Sequence, residues 1–148
     1  MKTQLMAAAL VLFTASTAWS QAGPSETAAK AAKEPGAQVM PSGLVFRALK
    51  EGSGASPQAT DKVRVHYRGT FPDGKEFDSS YSRGQPAEFP LDRVIKCWTE
   101  GVQKLKVGGK AKLTCPPDIA YGERGAGGVI PPNATLQFEV ELLAIAGR

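Results

Sequence analysis

From Thr135 to Ile145 the chain alternates: Leu136, Phe138, Val140, Leu142 and Ala144 fall on one side, Gln137, Glu139, Glu141 and Leu143 on the other. A period of two sustained over this length fits a strand with one buried face, because strand side chains point to opposite sides in turn, whereas a helix repeats every 3.6 residues. Such a strand needs neighbours to pair its backbone and a cover for its apolar face. The rest of the chain is expected to supply both.

Further strand-like stretches precede it. Lys62-Val63-Arg64-Val65-His66-Tyr67 alternates cleanly, with Val63, Val65 and Tyr67 on one face. Leu44–Leu49, Lys75–Ser79, Ala87–Leu91 and Lys110–Cys115 also read as extended, the last with Ala111, Leu113 and Cys115 on one side. Phe71-Pro72-Asp73-Gly74 is a turn: proline presets φ and glycine accepts positive φ. Pro116 to Pro132 is a long Gly/Pro loop. Its Gly122–Gly128 run lacks the Lys-Ser/Thr ending of a phosphate loop and is expected to form a flap.

One helix is expected inside the domain. Trp98, Val102 and Leu105 recur at helical spacing, and Gly108-Gly109 marks its end. Gly101 weakens it by about 1 kcal/mol relative to alanine. Several antiparallel strands and one short helix define an α+β fold, with the helix on the concave side of a twisted sheet.

The first residues have another texture. Lys2, an uncharged apolar run from Leu5 to Phe13, and Ala18-Trp19-Ser20 have the form of a secretory signal peptide. The run is too short to span a bilayer, which takes about 20 apolar residues. We expect residues 1–20 to be a leader, 21–39 a flexible linker rich in Ala, Lys, Glu, Gly and Pro, and 40–148 the folded domain. Ala28–Lys33 has helix-forming residues without an apolar stripe to dock.

The formal net charge of +4 is spread along the chain without a Lys/Arg block, which argues against nucleic-acid binding. The two cysteines and single histidine lack the spacing of a zinc cluster, so no metal is expected. In an exported chain Cys97 and Cys115 fit one disulfide. Two separate buried thiols are the alternative.

Five segments, in order, resemble the FKBP-type peptidyl-prolyl isomerases. They are Val65-His66-Tyr67-Arg68-Gly69; Asp73-Gly74-Lys75-Glu76-Phe77-Asp78-Ser79-Ser80; Val94-Ile95 with Trp98-Thr99-Glu100-Gly101; Ala120-Tyr121-Gly122; and Ile130-Pro131-Pro132-Asn133-Ala134-Thr135-Leu136 running into Phe138-Glu139-Val140-Glu141-Leu142. The match runs from about Gly43 to Ile145. With the leader, it is similar to the secreted bacterial Mip-like members. The resemblance implies an FKBP-like half-barrel wrapped around one short helix.

It also implies a site. Tyr67, Phe77, Asp78, Trp98 and Tyr121 would be catalytic, with Trp98 as the floor for a proline ring. Phe89, Val94, Ile95, Val129, Ile130 and Phe138 would bind substrate, Ile95 through its backbone N–H. From the residues alone, aromatic side chains on alternating strands are more often plain core. Phe89 and Phe138 suit either role, and His66 is read as structural. The implied activity is cis/trans isomerisation of X–Pro bonds without a cofactor, on incompletely folded exported polypeptides, with tacrolimus-type macrolides as possible inhibitors. A binding module with the same pocket and no turnover is the alternative. The spacer is too short for the helical dimerisation arm of full Mip-type proteins, so a monomer without stable membrane insertion is expected. Ala87 and Ala126 replace larger residues of many relatives and imply an open rim. Cys97 stands where glycine is common.

Overall fold

A computed structural model describes residues 24–146. The expected leader lies outside the described residues. The long strands follow from one rule, that each alternating segment buries one face against the same core.

The longest strand, which becomes β7 in chain order (Leu136–Ile145), lies inside the sheet. It pairs antiparallel with β6 (Lys110–Cys115) on one side and β3 (Lys62–Thr70) on the other. Beyond β6 lie β2 (Val45–Lys50) and β1 (Ala37–Val39). Beyond β3, one edge is shared by β4 (Glu76–Ser79), paired at Arg68–Thr70, and β5 (Ala87–Pro90), paired at Lys62–Val65. The result is an open sheet of seven antiparallel strands, in the order β1-β2-β6-β7-β3-β4 with β5 alongside β3.

Val63, Val65 and Tyr67 of β3 and Ala111, Leu113 and Cys115 of β6 are all buried, as their alternation predicts. In β7 the alternation breaks near its end: Ile145 is buried and Ala144 only half-buried. The cause is a register shift. Val65 pairs with Leu142 and Arg64 with Ala144, so Leu143 is the extra residue of a bulge that reverses the faces after it.

The concave face is covered by α3 (Lys96–Val102), which buries Cys97, Trp98 and Val102. This helix ends six residues before Gly108, earlier than its apolar spacing suggests. The chain instead tightens into turns, Leu105 N–H donating to the Val102 carbonyl at 3.0 Å, and Leu105 still reaches the core. Cys97 and Cys115 are joined by a disulfide that ties α3 to β6.

The expected flexible linker differs most from the structure. Residues 24–32 form α1 (Pro24–Ala32), and residues 37–39 form β1 on the edge of β2. Thr27 and Ala31, four residues apart, are buried, and Lys112 Nζ donates to Glu34 Oε2 at 3.0 Å. The docking stripe consists of small residues, which carry little hydrophobic signal, and is completed by a charge pair to a strand far along the chain. Val45 and Phe46 of β2 are consequently both buried, since α1 and β1 cover the outer side of that strand.

Candidate active site

The concave end of the sheet holds a cavity of about 440 Å³. Tyr67 from β3, Phe77 and Asp78 from β4, Phe89 from β5, Trp98 from α3 and Phe138 from β7 line it, with Val94 and Ile95 ahead of α3 and Tyr121 at the start of the flap. Phe89 and Phe138 thus serve the cavity as well as the core. Trp98 is 4% exposed and sits among rings that meet it nearly at right angles: Tyr67 at 5.1 Å, Phe138 at 5.4 Å and Phe89 at 5.5 Å between centroids. Phe77 adds an edge contact to Phe138 at 5.7 Å. Edge-to-face packing directs positive ring edges at negative ring faces and fixes each ring. The Trp98 Nε1–H is buried without a partner in this apolar setting.

At the rim, Asp78 is held by three donors. Tyr67 Oη–H donates to Asp78 Oδ2 at 2.5 Å, Arg83 Nη1 to Oδ1 at 2.6 Å, and the Ser79 N–H to Oδ1 at 2.9 Å. Burial alone would raise this carboxyl, but the hydrogen bonds from Tyr67 and Arg83, with the Arg83 charge, outweigh it and hold Asp78 below the usual carboxylate range. Burial, and then the hydrogen bond to Asp78, push the Tyr67 phenol above its ordinary value. At neutral pH the rim therefore presents an ionised carboxylate whose lone pairs are largely occupied.

Arg83 is the residue that sequence reasoning missed. It lies at the end of α2 (Ser80–Arg83), a single turn that interrupts the sheet edge between β4 and β5. Ser79 caps the turn by accepting from the Ser82 N–H, and Gly84 closes it in the left-handed region at φ 75°. This folds the chain back so that Arg83 also donates Nη2 to the Tyr67 hydroxyl at 2.9 Å. A Ser…Gly frame around four residues was the available signal. Arg93, also missed, lines the cavity mouth. His66 stays outside: it stacks on Tyr81 at 4.6 Å, and its Nδ1 lies 2.8 Å from the Ser80 hydroxyl oxygen.

Two expected substrate-binding residues are not brought to this cavity. Val129 and Ile130 line a separate cleft on the flap. The flap is a tight hairpin in which Ala126 and Ile130 exchange both backbone hydrogen bonds at 2.9 Å. Residues 126–130 share that cleft with Phe71, Pro72 and Lys75 of the β3–β4 turn, while Ile130 is also buried in the core cluster that contains Trp98. Among the described residues, no group of three or more His, Cys, Asp or Glu is arranged to hold a metal.

Residues 54–143 match the family model of the FKBP-type peptidyl-prolyl cis-trans isomerases. The chain belongs to that family. It is 53% identical over 116 residues to the FKBP-type peptidyl-prolyl cis-trans isomerase FkpA of Escherichia coli (strain K12), an alignment covering 78% of this chain and 43% of that protein. It is 56% identical over 103 residues to FK506-binding protein 1 of Dictyostelium discoideum, covering 68% of this chain and 96% of the other. The crystal structure of FkpA from Escherichia coli superposes with a TM-score of 0.80 at 50% identity, covering 82% of this chain and 57% of that one. The chain spans about half the length of most curated relatives it matches.

Proposed function

We propose that this chain is a peptidyl-prolyl cis/trans isomerase that binds the proline ring on Trp98 and accelerates rotation of the preceding amide. Family membership supports the activity. The observation that carries the site is the near-perpendicular enclosure of Trp98 by Tyr67, Phe89 and Phe138, which gives the cavity an aromatic floor roomy enough for a proline ring and its flanking residues.

The chemistry follows from the amide. Resonance gives the X–Pro bond a rotational barrier of about 18–20 kcal/mol. Twisting it moves charge off the carbonyl oxygen and localises the nitrogen lone pair. No covalent bond breaks, so no nucleophile is needed. The catalyst has to hold the twisted amide better than the planar one, and each ~1.4 kcal/mol of that preference gives a factor of ten in rate. A slot walled by ring faces and edges offers the planar, charge-separated amide less than water does. In this reading the Ile95 N–H and the Tyr121 hydroxyl hold flanking carbonyls. Asp78 acts by its field and by fixing Tyr67, not as a base.

Its substrates are incompletely folded polypeptides in an exported setting, which the Cys97–Cys115 disulfide supports. Among the described residues no helix is long and apolar enough to cross a membrane. The proposed working form is a monomer. A tacrolimus-type macrolide that presents a proline-like ring is expected to compete for the slot.

The test is prolyl isomerisation of a short X–Pro peptide, followed without a coupling protease, with and without the macrolide. Turnover blocked by the macrolide and lost in Trp98→Leu supports the reading. A folded protein that binds the peptide without turning it over would replace it with a binding module.

A further inference from the structure

Behind the flap lies a second concavity of about 1130 Å³, against about 440 Å³ for the aromatic cavity. One wall is the β3–β4 turn, with Phe71, Pro72 and Lys75; the other is the flap, with Arg124, Val129 and Pro132. The two concavities have no lining residue in common, yet one wall divides them. Phe71 faces the cleft, Phe77 faces the aromatic cavity, and their rings lie 4.9 Å apart. A polypeptide leaving the slot past Phe77 meets the cleft next, at about 3.3 Å of reach per extended residue.

The cleft is built from unspent groups. Val129 is 57% exposed although it is a large aliphatic residue. Lys75 and Arg124 have no ion-pair partner among the described residues. The one lining carboxylate, Asp73, already accepts the Lys75 N–H at Oδ1, at 2.9 Å, within its own turn. On the inner wall the Thr135 hydroxyl is buried without a hydrogen-bond partner, a state that ordinarily costs stability.

We propose that this cleft is a second binding site for the substrate polypeptide, taking an extended acidic segment while the proline occupies the aromatic cavity. The proposal rests on the isomerase reading. A small anion fits less well: it needs several donors converging on one point, whereas here two cations stand on opposite walls with proline and valine surface between them. That spacing suits a chain with alternating acidic and apolar side chains. Exposed pairs of this kind contribute modestly each and act strongly on association at low salt.

Two synthetic peptides test it: a short X–Pro peptide, and the same core extended on both sides by alternating Glu and Leu. The wild type is expected to favour the extended peptide in kcat/KM by roughly three- to tenfold at low ionic strength. The double variant K75E/R124E, altered at two exposed positions, should lose that preference and favour a Lys/Leu extension instead, with short-peptide turnover within about twofold of wild type. Equal kcat/KM for short and extended peptides in the wild type, or an acidic preference that survives in the variant, overturns the proposal. Failure of the wild type to turn over the short peptide overturns the isomerase reading instead. The cleft is then judged by binding: the extended peptide should shift the backbone amide resonances of Gly127, Gly128 and Asn133, and unshifted resonances at saturation overturn it too.

Discussion

The Tyr67 hydroxyl donates to Asp78 Oδ2 at 2.5 Å, and Arg83 braces the pair from outside by donating to both side chains. Tyr67 is simultaneously an edge contact of Trp98. The carboxylate therefore positions a wall of the slot as well as supplying charge at its rim. Asp78→Asn keeps the shape but weakens the charge-assisted bonds from both donors. The expected loss in kcat/KM is roughly tenfold to a hundredfold, with the fold intact by circular dichroism. Arg83→Ala should fall in the same direction by less, since its end of the network is open to water. An Asp78→Asn enzyme as active as wild type removes Asp78 from the mechanism.

The same network sets a pH dependence. Asp78 has a folded pKa below its unfolded one, so on acidification the unfolded chain takes up the proton first. Its stabilisation is whole above about pH 5 and is lost as the pH falls through the ordinary carboxylate value near 4 and then the folded one. The carboxylate is 42% exposed, so solvent screening keeps this contribution below about 1 kcal/mol. Tyr67 has the opposite sign: its raised phenol stabilises the fold below about pH 10 and ceases to do so above it. Urea midpoints of wild type and Asp78→Asn from pH 3 to 7 should converge toward the acid end. A constant gap across that range contradicts the assignment.

The disulfide closes a loop of sequence separation 18 and joins the residue before Trp98 to the end of β6. By loop entropy it is worth about 3 kcal/mol. Both sulfurs are fully buried, so reductant should act only after the fold opens. Cys97→Ser/Cys115→Ser is expected to unfold at a lower urea concentration and to lose substrate affinity through a loosened floor. Equal stability of oxidised and reduced protein would show that α3 is held by packing alone.

Much of this was legible in the residues, and the gaps have physical causes. The alternation of Val63, Val65 and Tyr67, or of Leu136, Phe138, Val140 and Leu142, reports burial directly, because each position faces one environment. Trp98 and Phe77 came from motif register, not from alternation. Arg83 was invisible because its role comes from a single capped turn that carries it back over Tyr67. The docked α1 was missed because Thr27 and Ala31 bury little surface and Glu34 finds its partner at Lys112, far away in sequence. Val129 and Ile130 line the cleft beside the flap rather than the aromatic cavity, a placement their sequence does not specify, since it does not say which way a hairpin tips.

Gly101 lies within α3, where glycine costs helix stability, and the reason is the approach of the helix to β6. A Cβ there would come 2.8 Å from Leu113 Cδ2. Gly101→Ala should therefore destabilise by about 1–3 kcal/mol through overpacking, despite alanine's better helix propensity. It should also lower isomerase activity, because α3 carries Trp98. Leu113→Val frees the space and should restore part of both losses, beyond the sum of the single changes. Additive effects would mean that the two side chains do not compete.

The flap hairpin depends on Gly125, which adopts φ 67° and whose Cβ would run into the Ile130 carbonyl oxygen, the acceptor of the Ala126 N–H. Gly125→Ala thus meets two obstacles at once, a left-handed backbone and a blocked turn. Within the flap only Ile130 is buried in the main core, with Ala126 packed against it, and the rest lies at or near the surface, so the global unfolding midpoint should move little. Tyr121 precedes the hairpin and Asn133 N–H returns to the Gly122 carbonyl at 2.9 Å, which links the flap's base to the cavity rim. Substrate affinity should consequently fall several-fold while the melting temperature stays within about 4 °C of wild type. Calorimetry and KM measured on the same preparation separate the two effects, and a large drop in melting temperature would make the flap part of the folding core.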